Sequence, residues 1–98
     1  MQIYQFRTSL TVSGGSASTL SLNVIHGLCR QVIVEAATDT TTFFANIVDE
    51  NSLNVMDYGM QTWKMNDVTS FPMKGVYTFS ITNASQTDTF KCYFGVEE

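Results

Sequence analysis

Apolar and polar residues alternate along most of this chain with the two-residue period of a β-strand. Near the N-terminus, Tyr4, Phe6, Leu10 and Val12 fall on even positions, and polar residues separate most of them. Because successive side chains of a strand point to opposite faces of a sheet, this spacing predicts a half-buried strand. The same period recurs in residues 75–82, which form the clearest predicted strand of the sequence.

Turn-forming residues interrupt this alternation at short intervals, because Gly, Ser, Asn and Asp accept the backbone angles of tight turns. No segment keeps a helical period over about three turns. The sequence therefore predicts an all-β fold for residues 1–98, a single antiparallel β-sandwich or jelly roll of about eight strands. The predicted strands cover residues 2–12, 20–26, 29–37, 43–48, 53–58, 60–65, 75–82 and 89–96.

The third predicted strand has an expected orientation. Val32, Val34 and Ala36 are predicted on one face, and Cys29 and Ile33 on the other, because they differ by odd numbers of positions. One of these two faces should pack into the core.

Residues 60–74 are the least regular stretch of the chain. A short strand is predicted at residues 60–65. Pro72 is expected to limit strand pairing after it, since proline has no backbone N–H to donate to a ladder.

The two cysteines, Cys29 and Cys92, lie far apart in the sequence and form no CxxC motif. Cytosolic thiols stay reduced, and a free cysteine packs as a small apolar side chain. Two buried free thiols are therefore predicted, and a disulfide between two strands is the alternative.

Composition and charge restrict the classes of partner. The chain has 98 residues, is 44% apolar and 14% charged, and carries a net charge of −4. Nucleic acids and anionic membranes attract basic surfaces, so neither is expected as a partner. The longest aliphatic run, residues 32–34, is too short for a membrane span or a secretory signal, so synthesis in the cytoplasm of the producing cell is expected.

Few residues offer chemistry for catalysis or cofactor binding. His26 is the one histidine, and its position at a predicted strand end favours a structural or rim role over catalysis. One histidine and two distant cysteines make a zinc site improbable. Asp49, Glu50 and Asn51 are predicted to form a hairpin turn, with a weak cation site as the alternative. The sequence predicts no enzyme activity, no cofactor and no metal.

Methionine and aromatic residues concentrate in one segment, residues 56–73. Such residues are flexible gap-fillers in cores, but they are also enriched at protein interfaces. Either this irregular segment fills its own core, or it forms a contact surface for copies of itself or a larger assembly. The candidate contact residues are Met56, Tyr58, Met60, Met65, Phe71 and Met73.

The second half of the chain resembles small β-sandwich virion proteins encoded by tailed bacteriophages. Three segments carry the resemblance: residues 47–51 with the sequence IVDEN, residues 75–85 with GVYTFSITNAS, and residues 89–94 with TFKCYF. Residues 40–96 are covered. The secreted sandwich domains that trail bacterial peptidases end in a similar strand pair.

The resemblance implies a non-enzymatic structural protein of the virion, made in the host cytoplasm. It implies a capsid decoration (cement) protein that stabilises the head, with the major capsid protein or other virion proteins as partners and with homo-oligomer or lattice neighbours. A neck, adaptor or tail component is the alternative within the virion. A small carbohydrate-binding module for host attachment is the alternative outside that class, with Trp63 and either Tyr58 or Tyr93 as its aromatic platform.

Overall fold

Six antiparallel strands form one continuous sheet in the computed structural model. The structure describes residues 3–97, and their side chains apart from those at positions 3, 4, 6, 24 and 25. The predicted burial of Tyr4, Phe6 and Val24 lies outside the described side chains. The strands are β1 Ile3–Val12, β2 Ala17–Ala36, β3 Thr42–Val48, β4 Asn54–Thr62, β5 Lys64–Thr82 and β6 Asp88–Glu97.

The sheet folds over on itself because β2 and β5 pass through both of its halves. The strand order is β1-β6-β2-β5-β3-β4. One half, the first layer, comprises β1, β6, residues 28–36 of β2 and residues 64–73 of β5. The other half, the second layer, comprises residues 17–24 of β2, residues 75–82 of β5, and β3 and β4. Each layer thus contains four strand segments.

Aromatic pairs join the two layers across the core. The ring centroids of Phe43 in β3 and Phe90 in β6 lie 4.9 Å apart at an interplanar angle of 68°. Those of Phe79 in β5 and Phe94 in β6 lie 5.0 Å apart at 70°. Neither pair joins neighbouring strands of the sheet, so both are face-to-face contacts of a sandwich, in the edge-on geometry that aromatic rings prefer. The all-β sandwich prediction is confirmed.

The long strands explain why about eight strands were expected and six are present. β2 joins the predicted strands at 20–26 and 29–37, and β5 runs on without a break through the last part of the irregular stretch. Residues 3–97 contain no helix, and therefore no helix in this range could cross a membrane.

Two bulges in β2 set which side chains reach the core. Val24 pairs with Gly75 and Gly27 with Met73, so β2 contains one residue more than β5 over this interval. A second irregularity lies between Cys29 and Gln31. Each bulge shifts the alternation by one position, so the odd-numbered Gly27 and Cys29 face inward although the inward positions before and after them are even.

The prediction for the face of Cys29 is therefore wrong. Cys29 is fully buried in the same core as Val32, Val34 and Ala36, while Ile33 faces outward and is partly exposed. Strict alternation from Val32 back to Cys29 ignores the extra residue, Arg30, which the bulge places on the outer side.

The prediction for residues 60–74 is also wrong in two respects. β4 extends to Thr62, Trp63 makes the turn, and β5 then continues from Lys64 past Pro72. Pro72 pairs in register with Leu28 of β2. It is tolerated because residues 64–73 of β5 pair on one side only, which makes this segment an edge of the first layer.

Both cysteines are buried free thiols, as predicted. Burial raises the pKa of Cys29 to about 11 and that of Cys92 to about 12. Both groups are consequently protonated at neutral pH, which makes them poor nucleophiles.

A hydrogen-bond network around Asp88 closes one end of the sandwich. Asp88, at the start of β6, is only 8% exposed. One carboxylate oxygen accepts the Thr41 hydroxyl at 2.7 Å and the Thr38 N–H at 3.0 Å, and the other accepts the Thr89 N–H at 2.8 Å. Gln86 donates its side-chain amide to the Thr41 hydroxyl at 2.8 Å. The network ties the loop before β3 to the start of β6.

The first prediction concerns Gly27. A Cβ at this position would lie 2.9 Å from the carbonyl oxygen of Glu97 and 2.9 Å from a methyl of Val96. Gly27→Ala should therefore lower the free energy of unfolding by about 1–3 kcal/mol in urea denaturation. Gly14→Ala is the control, because its nearest neighbours would be 3.4 Å away. Equal stability of both variants would show that the close approach is not a constraint.

The second prediction concerns Asp88 and pH. Burial by itself would raise the pKa of Asp88, but the hydrogen bonds from Thr41, Thr89 and Thr38 outweigh it and hold the pKa below its ordinary value. Asp88→Asn should lower the free energy of unfolding at neutral pH by about 1–3 kcal/mol, because both oxygens accept hydrogen bonds and an amide nitrogen would face a donor.

The difference between wild type and Asp88→Asn should also depend on pH. The folded-state pKa is lower than the unfolded value of about 3.9, so the carboxylate stabilises the fold above that pH. This stability is lost as the pH falls through the folded-state pKa. The free energies of unfolding of the wild type and of Asp88→Asn should therefore converge at that pH. Asp39→Asn, an exposed change in the loop that contains Thr38 and Thr41, is the control. It should have the same free energy of unfolding as the wild type at neutral pH.

Candidate binding surfaces

Groups suited to catalysis or metal binding do not converge in the described part of the chain. His26 is exposed, in the first bulge of β2. No group of three or more His, Cys, Asp or Glu side chains capable of holding a metal ion occurs among the residues that the structure describes. The Asp49–Asn51 segment forms the predicted hairpin turn, in which one oxygen of Asp49 accepts the N–H groups of Asn51 and Leu53 at 2.9 and 2.8 Å. The outer faces of the two layers are the remaining candidates for a binding site.

Most of the methionine–aromatic segment packs inside the protein. Met65 and Met73 are buried in the core, at 7% and 2% exposure. Met56, Tyr58 and Phe71 are partly buried and pack against that core. Of the six candidate contact residues, only Met60 is largely exposed, at 62%. A partner that binds the folded protein can reach Met60 fully and the three partly buried residues only in part.

Bulges in β4 turn Tyr58 inward. Ala45 pairs with Gly59 and Asn46 with Asp57, which leaves Tyr58 as an extra residue in β4. Its hydroxyl is buried without a hydrogen-bond partner. Burial raises the pKa of Tyr58, and the negative charge of nearby Asp67 raises it further. Tyr58 is therefore unsuited to the sugar platform proposed from the sequence.

The outer face of the second layer is almost free of charge. Its rows follow from the register: Ala17, Thr82, Phe44 and Met60 are successive neighbours across the strands. The next row runs from Thr19 through Ser80 and Asn46 to Asp57. Asp57 is the one charged residue that points outward in the described second layer. The outward positions are 17, 19, 21 and 23 in β2, 76, 78, 80 and 82 in β5, 42, 44, 46 and 48 in β3, and 54, 57, 60 and 62 in β4.

An apolar corner lies at one edge of this face. Phe44 in β3 and Met60 in β4 are directly paired across the strands and are 41% and 62% exposed. An aromatic ring beside a methionine, on a face with one outward charge, is a composition typical of an interface.

The outer face of the first layer has the opposite character. Ser9, Lys91, Glu35 and Lys64 form one row across its four strands. Beside it runs a second row of Arg7, Tyr93, Ile33 and Asn66. Cations of an acidic protein thus gather on this face.

Tyr93 lies flat on the sheet in the middle of this face. Its ring extends over Gly95, where an added Cβ would come within 3.1 Å of the tyrosine oxygen. The guanidinium carbon of Arg7 stands 5.0 Å from the ring centroid, within the range of a cation–π contact. A groove of about 450 Å³ opens beside the ring. Its lining side chains include Arg7, Ser9, Ile33, Glu35, Lys91 and Tyr93.

Trp63 borders a second groove that continues from the first. Trp63 has a positive φ of 65°, and its backbone is held by hydrogen bonds to Thr41 and Ala36. The ring is 39% exposed and lies 4.1 Å from the ammonium group of Lys64. The second groove, about 380 Å³, shares Glu35 and Lys91 with the first. The structure therefore brings Trp63 and Tyr93, but not Tyr58, to the borders of one connected surface.

The third prediction compares the hydroxyl groups of two tyrosines, Tyr58 and Tyr77. The Tyr58 hydroxyl has no partner, whereas the Tyr77 hydroxyl accepts the N–H of Lys74 at 2.9 Å. Tyr58→Phe should leave the free energy of unfolding unchanged or raise it by about 1 kcal/mol, because an unpaired buried hydroxyl is costly. Tyr77→Phe should lower it by about 0.5–1.5 kcal/mol. Urea denaturation of both variants tests this, and a large loss of stability in Tyr58→Phe would contradict it.

No family model and no curated protein matches the sequence. Several solved structures resemble the fold at low identity. The mitogen derived from Yersinia pseudotuberculosis has a TM-score of 0.50 at 7% identity, over 99% of this chain and 86% of that chain. A structure of the Gt strain of infectious bursal disease virus has a TM-score of 0.49 at 10% identity, over 97% of this chain and 32% of that chain.

Dimeric latent PorU from Porphyromonas gingivalis has a TM-score of 0.38 at 10% identity, over 99% of this chain and 13% of that chain. This chain spans about a third of the viral protein that it matches. At such identities the likeness to the mitogen shows a shared fold and nothing about function.

Proposed function

We propose that this protein is a non-enzymatic structural component of a virus particle, and specifically a decoration protein on the head of a tailed bacteriophage. It would bind the major capsid protein through the outer face of the second layer. Each contact would add buried area between neighbouring shell subunits and so stabilise the folded, assembled shell by mass action.

The charge-poor outer face of the second layer is the observation that carries this proposal. Surface faces of soluble proteins normally carry many charged residues, and the centres of interfaces are depleted of them. Here Asp57 is the one outward charge in the described second layer, on a surface made largely of Thr, Ser and Asn. Covering such a face with a partner costs less desolvation free energy than covering a charged one.

The size of the molecule is compatible with a specific contact. Its two longer dimensions are 38 and 25 Å. A standard interface buries roughly 800 Å² on each partner, so a contact of that size would cover most of one side of the molecule. Phe44 and Met60 would supply the apolar anchor of that interface, because large apolar and aromatic side chains contribute most to binding energy.

The resemblance to phage virion proteins supports the choice of partner. It lies in residues 47–51, 75–85 and 89–94, which here form the end of β3 with its turn, the second-layer part of β5, and β6.

The fourth prediction tests the docking face. The purified protein, mixed with capsids that lack it, should sediment with them and raise their disruption temperature. Met60→Asp should keep the circular dichroism spectrum of the wild type but lose binding, because a carboxylate would be buried opposite Phe44. Val68→Asp is the matched control, since Val68 is 77% exposed but belongs to the first layer.

The alternative outcomes are distinct. If the wild-type protein neither sediments with the capsids nor stabilises them, it is not a decoration protein. Quantitative mass spectrometry of purified particles then gives its copy number. A number that corresponds to a single ring of copies would identify a neck or tail component. If Met60→Asp binds as well as Val68→Asp, the docking face is wrong even if the protein belongs to the head.

A further inference from the structure

The cations of this protein are distributed unevenly over its surface. The chain has five Lys and Arg residues against nine Asp and Glu residues. Arg7, Lys64 and Lys91 stand in adjacent rows on the outer face of the first layer, and Arg30 lies in the bulge of the same layer. The outer face of the second layer has none of them among its described positions. An acidic protein thus presents one positively charged face.

Among the described residues, Arg7, Lys64 and Lys91 form no ion pair with a carboxylate. The one ion pair among residues 3–97 joins Arg30 to Glu97 at 3.2 Å. Arg7 instead rests over the ring of Tyr93, and Lys64 over the ring of Trp63. A cation–π contact holds the charged group in place without neutralising it. The donors of Arg7 and Lys91 therefore remain available to an anion.

The groove beside Tyr93 combines these donors with an acceptor and an apolar floor. Arg7 and Lys91 line it, the Ser9 hydroxyl and the Glu35 carboxylate lie among them, and Ile33 is its aliphatic residue. The volume of about 450 Å³ falls in the usual range for small-molecule sites. The connected second groove extends past Glu35 and Lys91 to Trp63.

We propose that this groove binds an acidic saccharide, a sugar unit bearing a carboxylate such as a sialic or uronic acid. The carboxylate would pair with the Arg7 guanidinium, whose planar fork matches it, and with the Lys91 ammonium. Sugar hydroxyls would donate to Glu35 and exchange hydrogen bonds with Ser9. The apolar face of the ring would contact Ile33 and Tyr93, and a longer glycan would continue toward Trp63.

The presence of Glu35 favours a saccharide over an acidic protein surface or a simple anion. A carboxylate in the groove repels a ligand that offers only negative charge, but it accepts hydrogen bonds from a ligand that also carries hydroxyls. The proposal is independent of the virion role, since the groove lies on the other layer from the docking face.

A backbone-amide NMR titration of the whole protein with sialyllactose, digalacturonic acid and neutral lactose tests the proposal. The two acidic sugars, used separately, distinguish a sialic acid from a uronic acid. Shift changes are expected at residues 7–9, 33–35 and 91–93 with at least one acidic sugar and not with lactose. Binding should weaken as ionic strength rises, because the cations are exposed.

Matched variants test the role of the cations. Arg7→Gln should raise the dissociation constant of the acidic sugar by about tenfold or more, because a charge-assisted bidentate contact is lost. Lys91→Gln should also raise it. Lys74→Gln removes an equal charge outside the groove and should leave it unchanged. Unchanged circular dichroism spectra establish that each variant is folded.

Three outcomes would overturn the proposal. The first is the absence of shift changes with both acidic sugars. The second is equal binding of lactose, which would show that charge plays no part. The third is a concentration-dependent change at the same amides without any sugar, which would show that the face binds the acidic surface of a second copy.

Discussion

The β2–β5 ladder is the constraint on which the rest of the structure depends. These two strands pair from Ala17–Thr82 at one end to Glu35–Lys64 at the other, so one ribbon forms part of both layers. The ribbon can bend between the layers because a bulge interrupts the pairing between Val24–Gly75 and Gly27–Met73. β6 and β1 then extend the first layer, and β3 and β4 extend the second.

The same ribbon separates two surfaces of different chemistry. Residues on one side of each layer meet in the core, where Phe43, Phe79, Phe90 and Phe94 interlock. The opposite sides face away from each other, one rich in hydroxyl and amide groups and the other carrying unpaired cations beside aromatic rings. A protein partner and a charged small ligand could therefore bind at the same time without competing.

The sequence predicted the fold well wherever strands are regular. Burial alternates residue by residue in β3 and in the second-layer part of β5, and it does so in β6 as far as Phe94. It failed where a strand contains an extra residue or a single-sided edge. The face of Cys29 depends on a bulge, and the pairing of Pro72 depends on the absence of a neighbour on one side of residues 64–73. Neither feature leaves a mark on the local hydrophobic period, because both depend on the partner strand.

Alternation and turn residues alone determined an all-β sandwich and a hairpin at Asp49, because these depend on side-chain period and local backbone preference. The burial of two free thiols followed instead from the preference of reduced cysteine for apolar surroundings. Tertiary structure alone decided which methionines are core and which is exposed, since Met60 and Met65 differ only in the layer and face that receive them. It also gathered Arg7, Glu35, Lys91 and Trp63, which lie far apart in the chain, along connected grooves. Such long-range proximity follows from strand order and register, which no short segment of sequence encodes.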